Sequence, residues 1–261
     1  MNVMHTSDPH PRTVAIIQAR MGSSRLPGKV LKDIEGEPML VREVTRVRRA
    51  GTLDEVVVAT TTEGEDDPVA ELCRRRGYSF YRGSLFDVLD RYYRAARQFS
   101  AQVVVRLTAD CPLIDPAAID QTANAFFAAG VDFAANRLPE GRTVPIGFDT
   151  EVCTFAALER AWREARQPYE REHVMPYLYN TPGRFRTLLV KSEPDHGSLR
   201  WTVDTAEDLE LVRAVYARFP GRDDFTYQEM LDLFTREPDL AQINAGVRHK
   251  GFQDVDKRHP A

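Results

Sequence analysis

Three short segments of the chain are almost uniformly apolar and rich in β-branched residues: Thr13–Gln18 (TVAIIQ), Glu55–Ala59 (EVVVA) and Gln102–Leu107 (QVVVRL). Runs of this kind, bounded by polar residues, predict strands buried on both faces. Between them, apolar positions recur at three- and four-residue intervals, which predicts helices over Pro38–Ala50, Asp67–Arg76 and Ser84–Phe99. Asp67-Pro68 and Asp115-Pro116 each set an acidic cap before a proline suited to the first helical turn. Ser84-x-x-Asp87 and Thr205-x-x-Asp208 read as capping boxes with a shortened acid. Strands alternating with helices at this spacing predict a mostly parallel, Rossmann-like sheet in a three-layer α/β/α fold.

The rhythm changes after Gly130. A strand over Val131–Asn136 is followed by a Pro/Gly-rich loop, Arg137–Gly147, and an extended Phe148–Thr154. Helices over Phe155–Ala165 and Tyr169–Asn180 precede a strand at Phe185–Lys191. A strand at Ser198–Val203 ends in Asp204, and helices follow at Ala206–Phe219 and Tyr227–Arg236. With no internal repeat and no separating linker, one domain is expected over residues 13–247, with an excursion at 137–195. Residues 1–12 and 248–261 read as tails.

Composition narrows the function classes. In 261 residues, Lys+Arg number 35 against Asp+Glu 39, a net charge of −4. That balance argues against a nucleic-acid partner, since neutralising phosphates along a polymer needs a basic surface. Cys73, Cys111 and Cys153 are far apart and form no CxxC pair, so neither a disulfide framework nor a structural zinc site is indicated. No apolar run is long enough to span a bilayer, and residues 1–12 lack the apolar core of a signal peptide. A cytoplasmic protein without a membrane partner is the expectation.

The chemistry concentrates where the first strand ends. Ala19-Arg20-Met21-Gly22-Ser23-Ser24-Arg25-Leu26-Pro27-Gly28-Lys29 leaves the carboxyl end of that strand, where open α/β sheets bind ligands. Gly22, Ser23 and their neighbours can expose amide donors, and Arg20, Arg25 and Lys29 can surround a polyanion. It is not a Walker A loop: five residues separate Gly22 from Gly28, and Val30 stands where a magnesium-binding Ser/Thr would be. Two further strands end in aspartates, Asp110 and Asp204, which could share a hard cation such as Mg²⁺ beside a phosphate substrate. Each could instead serve locally, in a turn or a helix cap. Arg82 follows a short Tyr78–Tyr81 strand and is a further nucleotide-binding candidate. Asp149 and Glu151, two apart on one strand face, together with Arg200 and His196, are candidates for substrate contact. His173 lacks a metal-ligand spacing and reads as structural.

The sequence IIQARMGSSRLPGKVL resembles the opening motif of the cytidylyltransferases that activate sialic acid and 3-deoxy-manno-octulosonate. The likeness continues through DEVVVATTTEGEDDPVAELC, YRGSLFDVLDRYYRAA, VVRLTADCPLIDP, EREHVMPYLY and LRWTVDTAEDLELV. Over nearly the whole chain it is similar to the branch called spore coat polysaccharide biosynthesis protein F. The resemblance implies a nucleotide-diphospho-sugar transferase fold and Mg²⁺-dependent transfer of CMP from CTP to a sugar acid. By position it implies a triphosphate loop at Arg20, Gly22, Ser23, Arg25 and Lys29, metal aspartates at Asp110 and Asp204, and a homodimer built on residues 137–195. Two departures stand out: Gln18 replaces a usual Pro, and Thr108-Ala109-Asp110-Cys111-Pro112 replaces Gln-Gly-Asp-Glu-Pro. The residues alone leave open a sugar-1-phosphate nucleotidyltransferase using another nucleotide, or a catalytically silent nucleotide-binding protein.

Overall fold

A computed structural model describes residues 10–248. Its central sheet has seven strands: β1 (Thr13–Gln18), β2 (Glu55–Thr61), β3 (Ser79–Gly83), β4 (Val103–Thr108), β5 (Phe133–Ala135), β6 (Glu151–Thr154) and β7 (Thr187–Leu189). Their spatial order is β7-β5-β6-β4-β1-β2-β3. All neighbours run parallel except β6, which is antiparallel to both β4 and β5. The helices are α1 (Met39–Val47), α2 (Asp67–Arg76), α3 (Val88–Gln98), α4 (Pro116–Ala129), α5 (Phe155–Glu164), α6 (Pro168–His173), α7 (Pro176–Tyr179), α8 (Ala206–Ala217) and α9 (Tyr227–Arg236). The three-layer α/β/α expectation therefore holds.

Side chains alternate along each strand, so the sheet feeds two cores. Ala15 and Ile17 of β1, with Val103, Val105 and Leu107 of β4, join residues of α1, α2, α4, α8 and α9. Val14, Ile16 and Val104 point the other way, into a core with α3, α5 and α7. Both faces being apolar explains why the strands read as continuous runs rather than alternating ones. The chain passes from β1 to β2 and β3 on one side, then crosses to β4 on the other. This places the topological switch, and hence the ligand crevice, at the carboxyl ends of β1 and β4. Those ends are level, with Gln18 opposite Thr108. The Tyr92 hydroxyl joins them, lying 3.0 Å from the Ile16 carbonyl and 2.8 Å from that of Leu107.

Several boundaries differ from the sequence expectation. The helix expected at Ser84 begins at Val88, because Ser84 Oγ accepts the Asp87 N–H to make a turn while Asp87 itself caps through the Asp90 N–H at 2.9 Å. The N-cap position expected of Asp67 falls at Asp66, whose side chain makes no cap hydrogen bond. The helix expected over Tyr169–Asn180 is two short pieces: Val174 takes a positive φ of 71°, which ends the first, and Pro176, which has no N–H to donate, opens the second. Thr205 and Asp208 do form their reciprocal capping box.

Ser198–Val203 is not a strand of the sheet. It lies beside a loop, held by a single bridge between Ile146 and Arg200 and by Trp201 N–H donating to the Ile146 carbonyl at 2.8 Å. Gly147 makes this approach possible. A Cβ there would lie 2.8 Å from Trp201 carbonyl carbon and Thr202 nitrogen, and its φ of 112° is closed to other residues. Of the two expected tails, residues 1–9 and 249–261 lie outside the described residues. Residues 10–12 are anchored, Arg12 donating to Gln102 Oε1 at 2.7 Å and to the Phe99 carbonyl at 3.0 Å. All three cysteines are free and buried. No helix among the described residues is long and apolar enough to cross a membrane.

Candidate active site

The loop after β1 is organised around Met21. Its carbonyl accepts the N–H groups of both Ser23 and Gly28 at 2.9 Å, folding the glycine–serine stretch back on itself. Its own N–H donates to Asp66 Oδ1 at 2.6 Å, and the other Asp66 oxygen accepts the Thr61 hydroxyl at the end of β2. Asp66 is buried, so the loop carrying Arg20, Gly22, Ser23 and Arg25 is pinned to the sheet by a desolvated carboxylate. Nothing in the sequence reading singled out Asp66. It stands in Asp66-Asp67-Pro68, two adjacent acids at the start of α2.

Lys29 closes the loop and reaches into the crevice. Its Nζ lies 2.9 Å from Asp110 Oδ2, 3.0 Å from Asp204 Oδ1 and 2.8 Å from the Val203 carbonyl. The two aspartates thus converge on one ammonium. Their segments are stitched together directly: the Asp110 carbonyl accepts the Val203 N–H at 2.8 Å and the Thr202 hydroxyl at 3.0 Å. Thr108 holds Asp110 Oδ1 from the other side at 2.7 Å. Arg25 and Arg200 each approach Asp204 Oδ2 at 2.9 Å. Burial alone would raise the Asp204 carboxyl, but the Lys29, Arg200 and Arg25 cations outweigh it and hold the group far below the usual carboxylate range. Burial likewise opposes the Lys29 ammonium, and the two aspartates more than compensate, raising its pKa.

The electrostatics continue beneath. Glu43 of α1 is fully buried, accepts the Cys111 N–H at 3.1 Å through Oε2, and leaves Oε1 without a hydrogen bond. Burial, then the neighbouring Asp110, pushes its carboxyl well above the ordinary range. Its sequence signal is a glutamate in the apolar stripe Leu40, Glu43, Val44, Val47. Arg91 of α3 is buried too, pushed down to about 10 by burial, with the Arg20 charge acting in the same direction.

The expected substrate contacts fare differently. Glu151 lies in β6, is buried, and is ion-paired with partly buried Arg106, which also donates to Gln18 Oε1 at 3.2 Å. Asp149 precedes that strand and is held by a two-pronged contact with Arg142. The two carboxylates therefore do not form a free pair on one strand face; each neutralises an arginine that would otherwise be a partly desolvated charge. Arg200 is engaged by Asp204 and by both oxygens of fully buried Asp208, 2.9 and 2.8 Å away, and works as a brace. His196 Nδ1 lies 2.6 Å from the Tyr227 hydroxyl, tying its loop to α9. Arg82 donates to the Thr61 and Glu63 carbonyls at 2.7 and 3.0 Å and pairs with Asp67, so it braces the end of β2.

Of the expected residues, Arg25, Lys29, Asp110 and Asp204 thus meet in one cluster, with Arg200 behind. Among the described residues, no three His, Cys, Asp or Glu side chains gather into a metal site. The cradle around Lys29 Nζ is instead two carboxylate oxygens and one carbonyl oxygen, all hard donors. Such a set suits a small cation that keeps much of its water and takes further ligands from phosphate.

Comparisons with known proteins identify the family. Residues 14–235 match the family model described as cytidylyltransferase. The spore coat polysaccharide biosynthesis protein SpsF of Bacillus subtilis is 34% identical over 233 residues, covering 87% of this chain and 95% of that protein. The 3-deoxy-manno-octulosonate cytidylyltransferase of Anaeromyxobacter dehalogenans strain 2CP-1 is 30% identical over 238 residues, covering 77% and 96%. Among solved structures, a cytidylyltransferase from Leptospira borgpetersenii superposes with a TM-score of 0.85 at 34% identity, covering 92% of this chain and all of that one. A CMP:2-keto-3-deoxy-manno-octonic acid synthetase complexed with CTP shares the fold, with a TM-score of 0.61 at 22% identity over 80% of this chain and all of that one. The chain belongs to the cytidylyltransferase family.

Proposed function

We propose that this enzyme transfers CMP from CTP to a sugar acid of the nonulosonic or 3-deoxy-octulosonic type, releasing pyrophosphate, in the making of a surface polysaccharide or glycan. The observation that carries the reading is the convergence of Asp110 and Asp204, from distant segments, on the end of a loop that bears Arg20, Arg25 and Lys29. A polyphosphate needs a dense, pre-positioned set of cations, and this loop supplies one. The relatives support the acceptor class: one is named for spore coat polysaccharide biosynthesis and another as a 3-deoxy-manno-octulosonate cytidylyltransferase.

In this reading, Arg20, Gly22, Ser23, Arg25 and Lys29 hold the triphosphate, and Arg82 keeps the neighbouring strand end in shape. An acceptor hydroxyl forms a bond to the α-phosphorus as the bond to the β-phosphate bridging oxygen breaks; pyrophosphate leaves and the hydroxyl proton passes to solvent. Arg20, Arg25 and Lys29 stabilise the charge that builds on the leaving group, and positioning accounts for most of the remaining rate. Mg²⁺ held by Asp110 and Asp204 would withdraw charge from the α-phosphate and make the attacking hydroxyl more acidic. Asp149 and Glu151, spent on Arg142 and Arg106, take no part in holding the sugar. A homodimer belongs to the proposal on the resemblance alone, since Phe155, Trp162, Tyr177 and Tyr179 pack on the chain's own second core.

The test is product analysis by mass spectrometry with each of the four nucleoside triphosphates against sialic-acid-type acids, octulosonic acids and sugar-1-phosphates. A CMP-linked acid is expected from CTP alone. A nucleoside-diphosphate sugar formed from a sugar-1-phosphate, with the acids inert, would overturn the reading.

A further inference from the structure

The Lys29 ammonium uses all three of its hydrogens on three oxygens: Asp110 Oδ2, Asp204 Oδ1 and the Val203 carbonyl, at 2.9, 3.0 and 2.8 Å. The outer carboxylate oxygens are also committed, Asp110 Oδ1 to the Thr108 hydroxyl and Asp204 Oδ2 to Arg25 and Arg200. Lys29 therefore sits between the two aspartates, in a place from which a single cation reaches both. A magnesium ion binds oxygen at about 2.0–2.1 Å, so a divalent ion drawn to these same three oxygens competes with the ammonium for them. The two positive charges cannot share that cradle.

We infer that Lys29 and the divalent cation alternate in this three-oxygen cradle, and that nucleotide polyphosphate is what draws Lys29 out. The inference rests on the proposed role of Asp110 and Asp204 as metal ligands and adds how that site is controlled. Lys29 enters from the same loop that carries Arg20 and Arg25, on a flexible four-carbon stem, so a polyanion bound by that loop offers the ammonium a new partner within reach. Once Lys29 moves to the phosphates, the three cradle oxygens lose their cation, with Arg25 and Arg200 left only on the far oxygen of Asp204, and the cradle becomes a cation site. Without nucleotide, the lysine serves as the built-in counter-ion and keeps the divalent ion out. Cation and nucleotide are then bound as a unit, and by linkage each strengthens the other by the same factor.

The experiment titrates Mn²⁺, followed by electron paramagnetic resonance, into the full chain without nucleotide. Wild type, Lys29→Met, Lys29→Gln and Asp110→Asn are compared, then wild type and Lys29→Met again with CTP but no acceptor. Lys29→Met removes the charge while keeping most of the stem; Lys29→Gln serves if the methionine variant does not fold. Without nucleotide, the lysine variants are expected to bind Mn²⁺ at least about tenfold more tightly than wild type, within the usual range of coupling between sites. CTP is expected to strengthen Mn²⁺ binding to wild type much more than to Lys29→Met. If the lysine variants bind no tighter than wild type while Asp110→Asn abolishes binding, the alternation is wrong and the metal site stands. If Asp110→Asn leaves Mn²⁺ binding untouched, the aspartates are not ligands and both readings fall.

Discussion

Glu43 shows how one buried atom can report on a site that it does not enter. Its Oε2 fixes the Cys111 N–H, and so the turn that presents Asp110, while Oε1 finds no partner. Burial and the Asp110 charge raise its pKa, so between about 4.3, the unfolded value, and its folded value the native state holds a proton that the unfolded state has released. Stability therefore falls as pH rises through that window. Glu43→Gln keeps an acceptor for Cys111 and has no proton to lose. Its melting temperature should exceed that of wild type at pH 7–8 and match it near pH 4. A variant less stable than wild type at both pH values would mean that the carboxyl is ionised and paired.

Among the elements, the loop after β1 and the end of β2 act as one device. Met21 gathers the loop through its carbonyl, and Asp66 fixes Met21 through its N–H, so the orientation of Arg20 and Arg25 depends on a residue 45 positions away. A hydrogen bond to a charged acceptor contributes about 1.5–3 kcal/mol, which corresponds to roughly a ten- to hundredfold change in affinity. Asp66→Ala should raise KM for CTP by at least about tenfold, with KM for the acceptor nearly unchanged. Asp66→Asn, which retains an oxygen for Met21, should recover most of the loss. Steady-state kinetics with each substrate varied in turn decides it; equal effects on both KM values would assign Asp66 to general stability instead.

For the molecule as a whole, the antiparallel strand β6, part of the 137–195 excursion, joins the parallel half of the sheet to β5 and β7, and the Arg106–Glu151 pair lies across its seam with β4. Burial opposes the Arg106 charge, and Glu151 more than restores it. Removing one partner of such a pair strands a buried charge at a cost of about 3–5 kcal/mol. Glu151→Gln should therefore lower the denaturation midpoint markedly, measured by chemical unfolding, rather than alter acceptor affinity selectively. An acceptor KM that rises while the midpoint stays put would return Glu151 to the substrate site.

Much of this was legible along the chain. Buried strands announce themselves by uniform apolarity, helix starts by their caps, and the loop after β1 by cations and small residues on neighbouring positions, because each signal is local. Arg25, Lys29, Asp110 and Asp204 could be picked out for the same reason: each stands in a loop or at the close of an extended run. Which charges cancel is not a local property. Asp149 and Glu151 looked available until folding brought Arg142 and Arg106 against them, and Arg200 and His196 until Asp208 and Tyr227 did the same. Ser198–Val203 has the composition of a strand, yet its pairing went to a loop, since Gly147 lets that backbone come close. Asp66, Glu43 and Arg91 gain their importance from desolvation, and burial depends on what the rest of the chain packs around a residue. The candidate groups are written in short motifs; their burial and pairing arise when segments as distant as Lys29, Asp110 and Asp204 are brought together.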